Sequence, residues 1–144
     1  MKLIGIVMAI LILGTCGQKS SKMDSKVESI TYTAKTRGSS YICTIDNRKL
    51  QLTTNGIRSF EKSKEISKTQ WLGILKDLEG VVLDSLNKLE VPNEKSSTDR
   101  ARIATLVVHS TNGIYESIPF DEGNPPRSLL PLINNMLALA QTVD

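Results

Sequence analysis

Three features of the sequence predict an α+β fold in which an antiparallel β-meander and a β-hairpin form one sheet, with two helices packed on one face. Apolar and polar residues alternate in short runs between Ile30 and Leu52. Two further runs flank an Asn-Gly pair at 112–113, and two stretches, 67–80 and 125–140, space their apolar residues at helical period.

In chain order, the meander comes first. Successive strand side chains point to opposite faces, so Ile30, Tyr32 and Ala34 share one face, as do Tyr41, Cys43 and Ile45, then Leu50 and Leu52. Arg37-Gly38-Ser39-Ser40 and Asp46-Asn47-Arg48 separate these runs and are rich in turn formers. Arg58 to Ile66 sets Phe60 among charges and reads as a solvated edge strand whose lysines discourage pairing with another chain.

Ser67 and Gln70 fit a capping box, so a helix is predicted there, with Trp71, Leu72, Leu75 and Leu78 as its apolar stripe and Gly80 as its stop. Trp71, lying in that stripe, is expected in the core. Val81 to Leu89 predicts a short helical turn capped by Asp84, and Val91 to Asp99 a loop. Ile103 to His109 and Ile114 to Phe120 flank Ser110-Thr111-Asn112-Gly113 and form the predicted hairpin. In the last helix Pro125 and Pro126 take the first positions, and Leu129, Leu132, Ile133, Met136, Leu137 and Ala140 make the face that lies on the sheet.

The amino terminus has a different character. Lys2 is the only charge before a run, Leu3 to Leu13, that is apolar apart from Gly5 and is followed by the small residues Gly14 and Thr15. These are the regions of a secretory signal. As a helix the run extends about 17 Å, against a hydrocarbon core of roughly 30 Å. Gly17 to Ser29 is small, polar and mildly basic, with only Met23 and Val27 to bury, and reads as a flexible tether. The expected organisation is a signal over residues 1–15, Cys16 and a tether over 16–29, and a single domain over 30–144.

Composition narrows the function classes. The net charge is +3, about +2 once Lys2 departs with the leader, and the signs are evenly mixed, which does not suit a nucleic-acid partner. The domain expected over 30–144 holds one histidine and one cysteine, Cys43, too few for the three or four ligands of a typical zinc site. His109 is the only imidazole available as a base, and it falls at a strand end beside a tight turn, where a surface role suffices. Asp121 and Glu122 are adjacent and point opposite ways on an extended segment, so they are no catalytic pair. No Gly-rich phosphate loop occurs and aromatic residues are few. The expectation is a protein that is not an enzyme and takes no cofactor or metal. Cys43 reads as a small buried hydrophobe on a strand, since nothing beside it in sequence would lower its pKa.

Two loops remain as candidate binding loops. One carries Arg37, Gly38 and Ser39; the other carries Asp121, Glu122 and Asn124. The second also has a structural reading in which Gly123 turns the chain, Asn124 caps the last helix and Asp121 lies near the positive end of its dipole.

Leu13-Gly14-Thr15-Cys16 resembles the lipobox of bacterial lipoprotein signals, with Thr15 where Gly, Ala or Ser is usual. The resemblance implies that Cys16 carries a diacylglyceryl group and a further chain such as palmitate, enough hydrocarbon for lasting attachment at about 0.8 kcal/mol per buried CH₂. The partner is then the membrane itself. No acidic residue follows Cys16 until Asp24, so the resemblance to sorting patterns implies the periplasmic face of the outer membrane. The alternative is an ordinary leader cut near Thr15, which leaves Cys16 an unmodified thiol.

Further along, YTAKTRGSS, the lone Trp71 at a helix start and DRARIATLVVHSTNGIYESIPFDEGNPPRSLLPLI resemble a family of small, uncharacterised bacterial lipoproteins. Its members often have Gly where Arg100 stands and His where Glu122 stands, so no role passes to those positions, and the family supplies no activity. The element order and the closing Pro-Pro-x-x-Leu-x-x-Leu also resemble emfourin-like proteins, inhibitors of thermolysin-type metalloproteases. The sequence therefore supports a lipid-anchored envelope protein whose domain binds another envelope component. Its alternative is a proteinase inhibitor in which loops such as Arg37 to Ser40 enter a protease cleft.

Overall fold

A computed structural model of the chain describes residues 27–92 and 102–143; the signal, Cys16 and Arg100 lie outside them. The strands are β1 (Val27–Lys35), β2 (Ser40–Asp46), β3 (Lys49–Asn55), β4 (Phe60–Glu65), β5 (Ile103–Ser110), β6 (Gly113–Glu116) and β7 (Phe120–Asp121). They form one sheet in the order β4-β3-β2-β1-β5-β6, with β7 also on β5. Every pairing is antiparallel. Helices α1 (Lys68–Leu78) and α2 (Leu130–Ala140) complete an α+β architecture of the expected class.

The period-two alternation decides which face is covered. Ile30, Tyr32, Ala34, Cys43, Ile45, Leu50 and Leu52 are buried as their spacing requires, and Tyr41 is half-buried. Register carries the same face across to Ala104, Leu106 and Val108 of β5. Thr31, Thr33, Ile42, Thr44 and Thr105 point the other way and stay half-exposed. β1 starts three residues before the expected boundary, because Val27, counted above with the tether, is itself buried against the sheet. β4 is the predicted solvated edge, with all six residues exposed.

Helix α1 begins with the predicted capping box. The Gln70 N–H donates to Ser67 Oγ at 3.2 Å and the Ser67 N–H to Gln70 Oε1 at 2.8 Å. Its buried stripe is Trp71, Ile74, Leu75 and Leu78, the i, i+3, i+4, i+7 set; Leu72, placed in the stripe by the sequence, is 39% exposed. The helix closes on Glu79, whose N–H donates to the carbonyls of Leu75 and Lys76, and Gly80 adopts no left-handed conformation. A 3₁₀ turn over Leu83–Lys88 matches the expected helical turn, but Asp84 lies inside its first turn rather than capping it.

Helix α2 starts later than the prolines suggested. Pro125 and Pro126 are buried upstream in non-helical backbone, a 3₁₀ turn over Arg127–Leu129 follows, and Pro131 occupies the first turn instead. Asn124 and Asp121 are thus too far upstream to cap α2 or meet its dipole. Leu129, Leu132, Ile133, Met136 and Ala140 are buried as predicted, with Leu137 half-buried. α2 lies over β2 and β3 and against α1, where Asn135 Nδ2 donates to Asp77 Oδ2 at 2.8 Å.

The β5–β6 hairpin forms, but Ser110 pairs with Gly113, so Thr111-Asn112 is the loop and the Asn-Gly pair straddles its end. The strand expected from Ile114 to Phe120 is interrupted at Ser117–Pro119. Pro119 has no N–H to give a ladder, and the Ile118 N–H turns away to Leu86 O at 3.1 Å. Buried Ser117 repairs the gap. Its N–H donates to Leu106 O, its Oγ accepts from the Leu106 N–H at 2.9 Å, and the same hydroxyl donates to Ile118 O.

The phase of α1 gives a direct test in chemical denaturation. Ile74→Ala removes a side chain with no exposure and is expected to destabilise the fold by about 2–5 kcal/mol. Leu72→Ala is expected to change it by no more than about 1 kcal/mol. Equal losses would place the stripe where the sequence first suggested it.

Candidate functional site

Because β1 pairs with both β2 and β5, its end at Lys35 lies between Ser40 and Ile103, and Ile103 in turn pairs with Asp121. One end of the sheet therefore gathers the β1–β2 turn, the β3–β4 turn, Arg102 and the segment after β7. Both candidate loops lie at this end. Arg37 and Gly38 are exposed and Ser39 is half-buried; Asp121 and Asn124 are half-buried and Glu122 is exposed. Between the two loops stands Arg102, whose guanidinium lies 3.4 Å from Glu122 Oε1 and whose carbonyl accepts the Glu122 N–H at 2.8 Å. Both side chains are 38% exposed, so the ion pair contributes at most about 1 kcal/mol and acts mainly to orient them. Asn124 holds the second loop through its N–H to Asp121 O and its Nδ2 to Pro92 O at 3.4 Å.

The two turns at this end pack on each other. A Cβ on Gly56 would stand 3.0 Å from both Gly38 O and Ser39 Cβ, and Gly56 has φ +135, a conformation that side chains disfavour. Asn55 Nδ2 donates to Ser40 Oγ at 3.1 Å across the turns. Within the first, the Thr36 N–H donates to Ser39 O at 2.8 Å and the two hydroxyls bond at 3.0 Å. Within the second, Thr54 Oγ1 donates to Arg58 O and accepts from the Phe60 N–H, and the Gly56 N–H donates to Ser59 Oγ. These short polar side chains satisfy backbone groups locally, which makes both turns stiff.

Between the turns and Arg102 runs a groove of about 560 Å³, floored by Tyr41 and bordered by Thr54, Ile57, Arg58 and Phe60. Ile57 is fully exposed at the tip of its turn and Phe60 is 43% exposed, with Lys62 Nζ 5.8 Å from its ring centroid. Beneath them Tyr41 meets Tyr32 edge-on at 6.4 Å between centroids, and Tyr32 meets Phe120 at 6.5 Å. Burial pushes the Tyr41 hydroxyl up to about 12, with Cys43 and Glu122 adding to the rise. Tyr32 is likewise pushed up to about 12, first by burial and then by the Glu122 charge. Both phenols stay neutral across the physiological range.

Of the groove residues, the sequence reading missed Ile57, Arg58 and Arg102. A signal for the first two existed in Asn55-Gly56, a turn-forming pair between two strands. Arg102 had none, because its place depends on β1 pairing with a strand about seventy residues later. His109 is half-buried on the uncovered face of β5, opposite Ser29 and Ile114. Cys43 is fully buried on β2, its thiol pushed up to about 12 by desolvation. Among the described residues no group of three or more His, Cys, Asp or Glu is placed to hold a metal, and no helix is long and apolar enough to cross a membrane.

Two outcomes follow from this geometry. Gly56→Ala meets both the φ and the contact, and is expected to cost about 1–3 kcal/mol and broaden the amide resonances of Gly38 and Ser39 in NMR spectra; an unchanged spectrum would mean that the turns are independent. The second concerns pH. Cys43, Tyr32 and Tyr41 keep their protons in the fold up to about pH 12, whereas the unfolded chain releases them from 9.0 for the thiol and 10.0 for the phenols. The native state then binds more protons than the unfolded one, so stability falls as pH rises from about 9 to 12. Urea midpoints at about pH 7 and about pH 10 should show that drop, and a flat profile would contradict it.

Comparison of the chain with protein-family models, with curated proteins and with solved structures returned no match.

Proposed function

We propose that this protein is a lipid-anchored component of the cell envelope whose domain is a non-catalytic binding module. In this reading Cys16 carries the lipid at the periplasmic face of the outer membrane, residues 17–26 form the tether, and the grooved end of the sheet meets another envelope protein. The observation that carries it is the polarity of β1. Val27, where the described domain begins, lies at the end of the sheet with Asp46 and Ser110, while Lys35 and the candidate loops lie at the other. Nine strand residues separate the two ends by about 30 Å. A chain moored through its amino terminus thus carries the groove at the end of the domain away from the point where the tether joins it, which leaves that end open to a protein partner.

The twin turns favour a second reading as well. Two stiff, adjoining turns with a fully exposed Ile57 at one tip have the shape of a wedge for a cleft, which suits a proteinase inhibitor of the emfourin-like type acting on secreted metalloproteases.

Mass spectrometry of the native protein is expected to find Cys16 as the first residue, carrying added hydrocarbon. A photo-crosslinking residue at Arg37 should capture an envelope protein that the same residue at Asn112, at the opposite end, does not. An unmodified start elsewhere removes the mooring, and equal capture from both positions removes the binding end. Inhibition of a metalloprotease panel by the purified chain would transfer the groove to the second reading.

A further inference from the structure

We propose that the groove between the twin turns and Arg102 docks an acidic segment of a protein partner that also carries an apolar side chain. This rests on the binding-module reading and adds to it the chemistry of what is bound. Charge is the first argument. Arg58 and Arg102 both border the groove and no carboxylate lines it among the described residues. Arg37 is exposed on the adjoining turn, and Lys62 stands over Phe60. Neither neighbouring acid is free to fill the groove: Glu61 accepts from Gln51 Nε2 on the opposite side of the sheet, and Glu122, whose charge is felt at Tyr41, is paired with Arg102 and offsets it. The one ion pair found among the described residues leaves Arg58 without a carboxylate.

The second argument is the apolar surface set inside that charge. Tyr41, Ile57 and Phe60 offer a half-buried ring, a fully exposed aliphatic chain and a half-exposed ring along one groove. A purely ionic ligand would leave them wet, and a purely apolar one would desolvate Arg58 without compensation. A segment that places a carboxylate against Arg58 and an aliphatic or aromatic side chain beside Ile57 satisfies both. The stiff turns hold these groups in place before binding, which lowers the ordering cost. An anionic membrane shares part of this chemistry, but the groove stands at the end of the sheet remote from Val27.

The test uses the full-length chain purified in detergent and a fluorescent peptide of alternating Asp and Leu, with Lys-Leu and Asp-Ser peptides as comparisons. The Asp-Leu peptide is expected to bind, to weaken as salt rises, and to lose about tenfold or more in affinity with Arg58→Glu and again with Ile57→Ser. Arg58 and Ile57 are exposed, so both variants retain the fold, which circular dichroism verifies. Arg48→Glu makes the same charge change at the opposite end and is expected to leave binding within about twofold. Equal binding of the Lys-Leu peptide, or an equal loss from Arg48→Glu, overturns the proposal. Binding to phosphatidylglycerol vesicles that Arg58→Glu abolishes would assign the groove to lipid, and self-association that Ile57→Ser abolishes would assign it to a second copy; either result overturns it. Capture of an envelope protein from Arg37 together with no Asp-Leu binding would leave the binding module standing and remove only the acidic ligand.

Discussion

The structure depends on β1 being the strand that joins the meander to the later hairpin, hydrogen-bonded to β2 on one side and to β5 on the other. From Ser29 to Lys35 each residue has one partner on β2 and another on β5, and Ile30, Tyr32 and Ala34 between them are at most 1% exposed. A slip of one residue against either neighbour would turn Thr31, Thr33 and Lys35 into the core and those three out of it, so burial enforces the register. The grooved end inherits its geometry from that enforcement. The turn after Lys35 has to lie beside Ile103, and therefore beside Arg102 and the Glu122 that Arg102 holds. A demand of the core thus assembles a surface from residues that the chain keeps far apart.

The two edges of the sheet are protected by different means. At one, β4 keeps Glu61, Ser63 and Glu65 on the uncovered face and Lys62 and Lys64 on the helical face, where Lys64 Nζ donates to the Thr142 carbonyl and hydroxyl. Two copies joined edge to edge about an axis normal to the sheet keep their faces, so even-numbered residues meet even-numbered ones. Any register with substantial overlap then sets lysine against lysine, and pairing of this edge with itself is disfavoured. At the other edge the ladder is broken outright. Pro119 and the diverted Ile118 N–H end the pairing of β6 with β5, and Ser117 supplies the missing bonds from its own hydroxyl.

How far the sequence could be read follows from the range of each interaction. Period two along one strand is local, and so the buried faces of β1, β2 and β3 were legible, as was the Ser67–Gln70 capping box. The stripe of α1 was legible in kind but misassigned by one residue. Leu72 is as apolar as Ile74, and only the direction from which α2 and the sheet approach separates them. The prolines misled for a related reason: Pro125, Pro126 and Pro131 can each open a helix, and burial of the first two in extended backbone leaves that position to Pro131. The candidate loops were found as isolated turns. Their convergence was not legible, since it rests on strand pairings between distant parts of the chain, and neither was the cationic lining that Arg102 completes.

One property of the groove follows from combining these constraints. A single exposed aliphatic residue is ordinary on a protein surface, and Ile57 alone would carry no meaning. Its surroundings change that. Burying such a side chain is worth about 1.5–3 kcal/mol, and a mobile turn could fold it back toward Phe60 and Tyr41 to recover part of this. Here the turn is prevented from doing so, because Gly56 is pressed against Gly38 and Ser39 and the hydroxyls of Thr54 and Ser59 fix the backbone on either side of Ile57. The packing that makes the end of the sheet stiff is therefore the same packing that keeps Ile57 in water. Within the described domain nothing relieves that exposure, so whatever covers Ile57 gains the full burial while the chain itself has little left to reorganise.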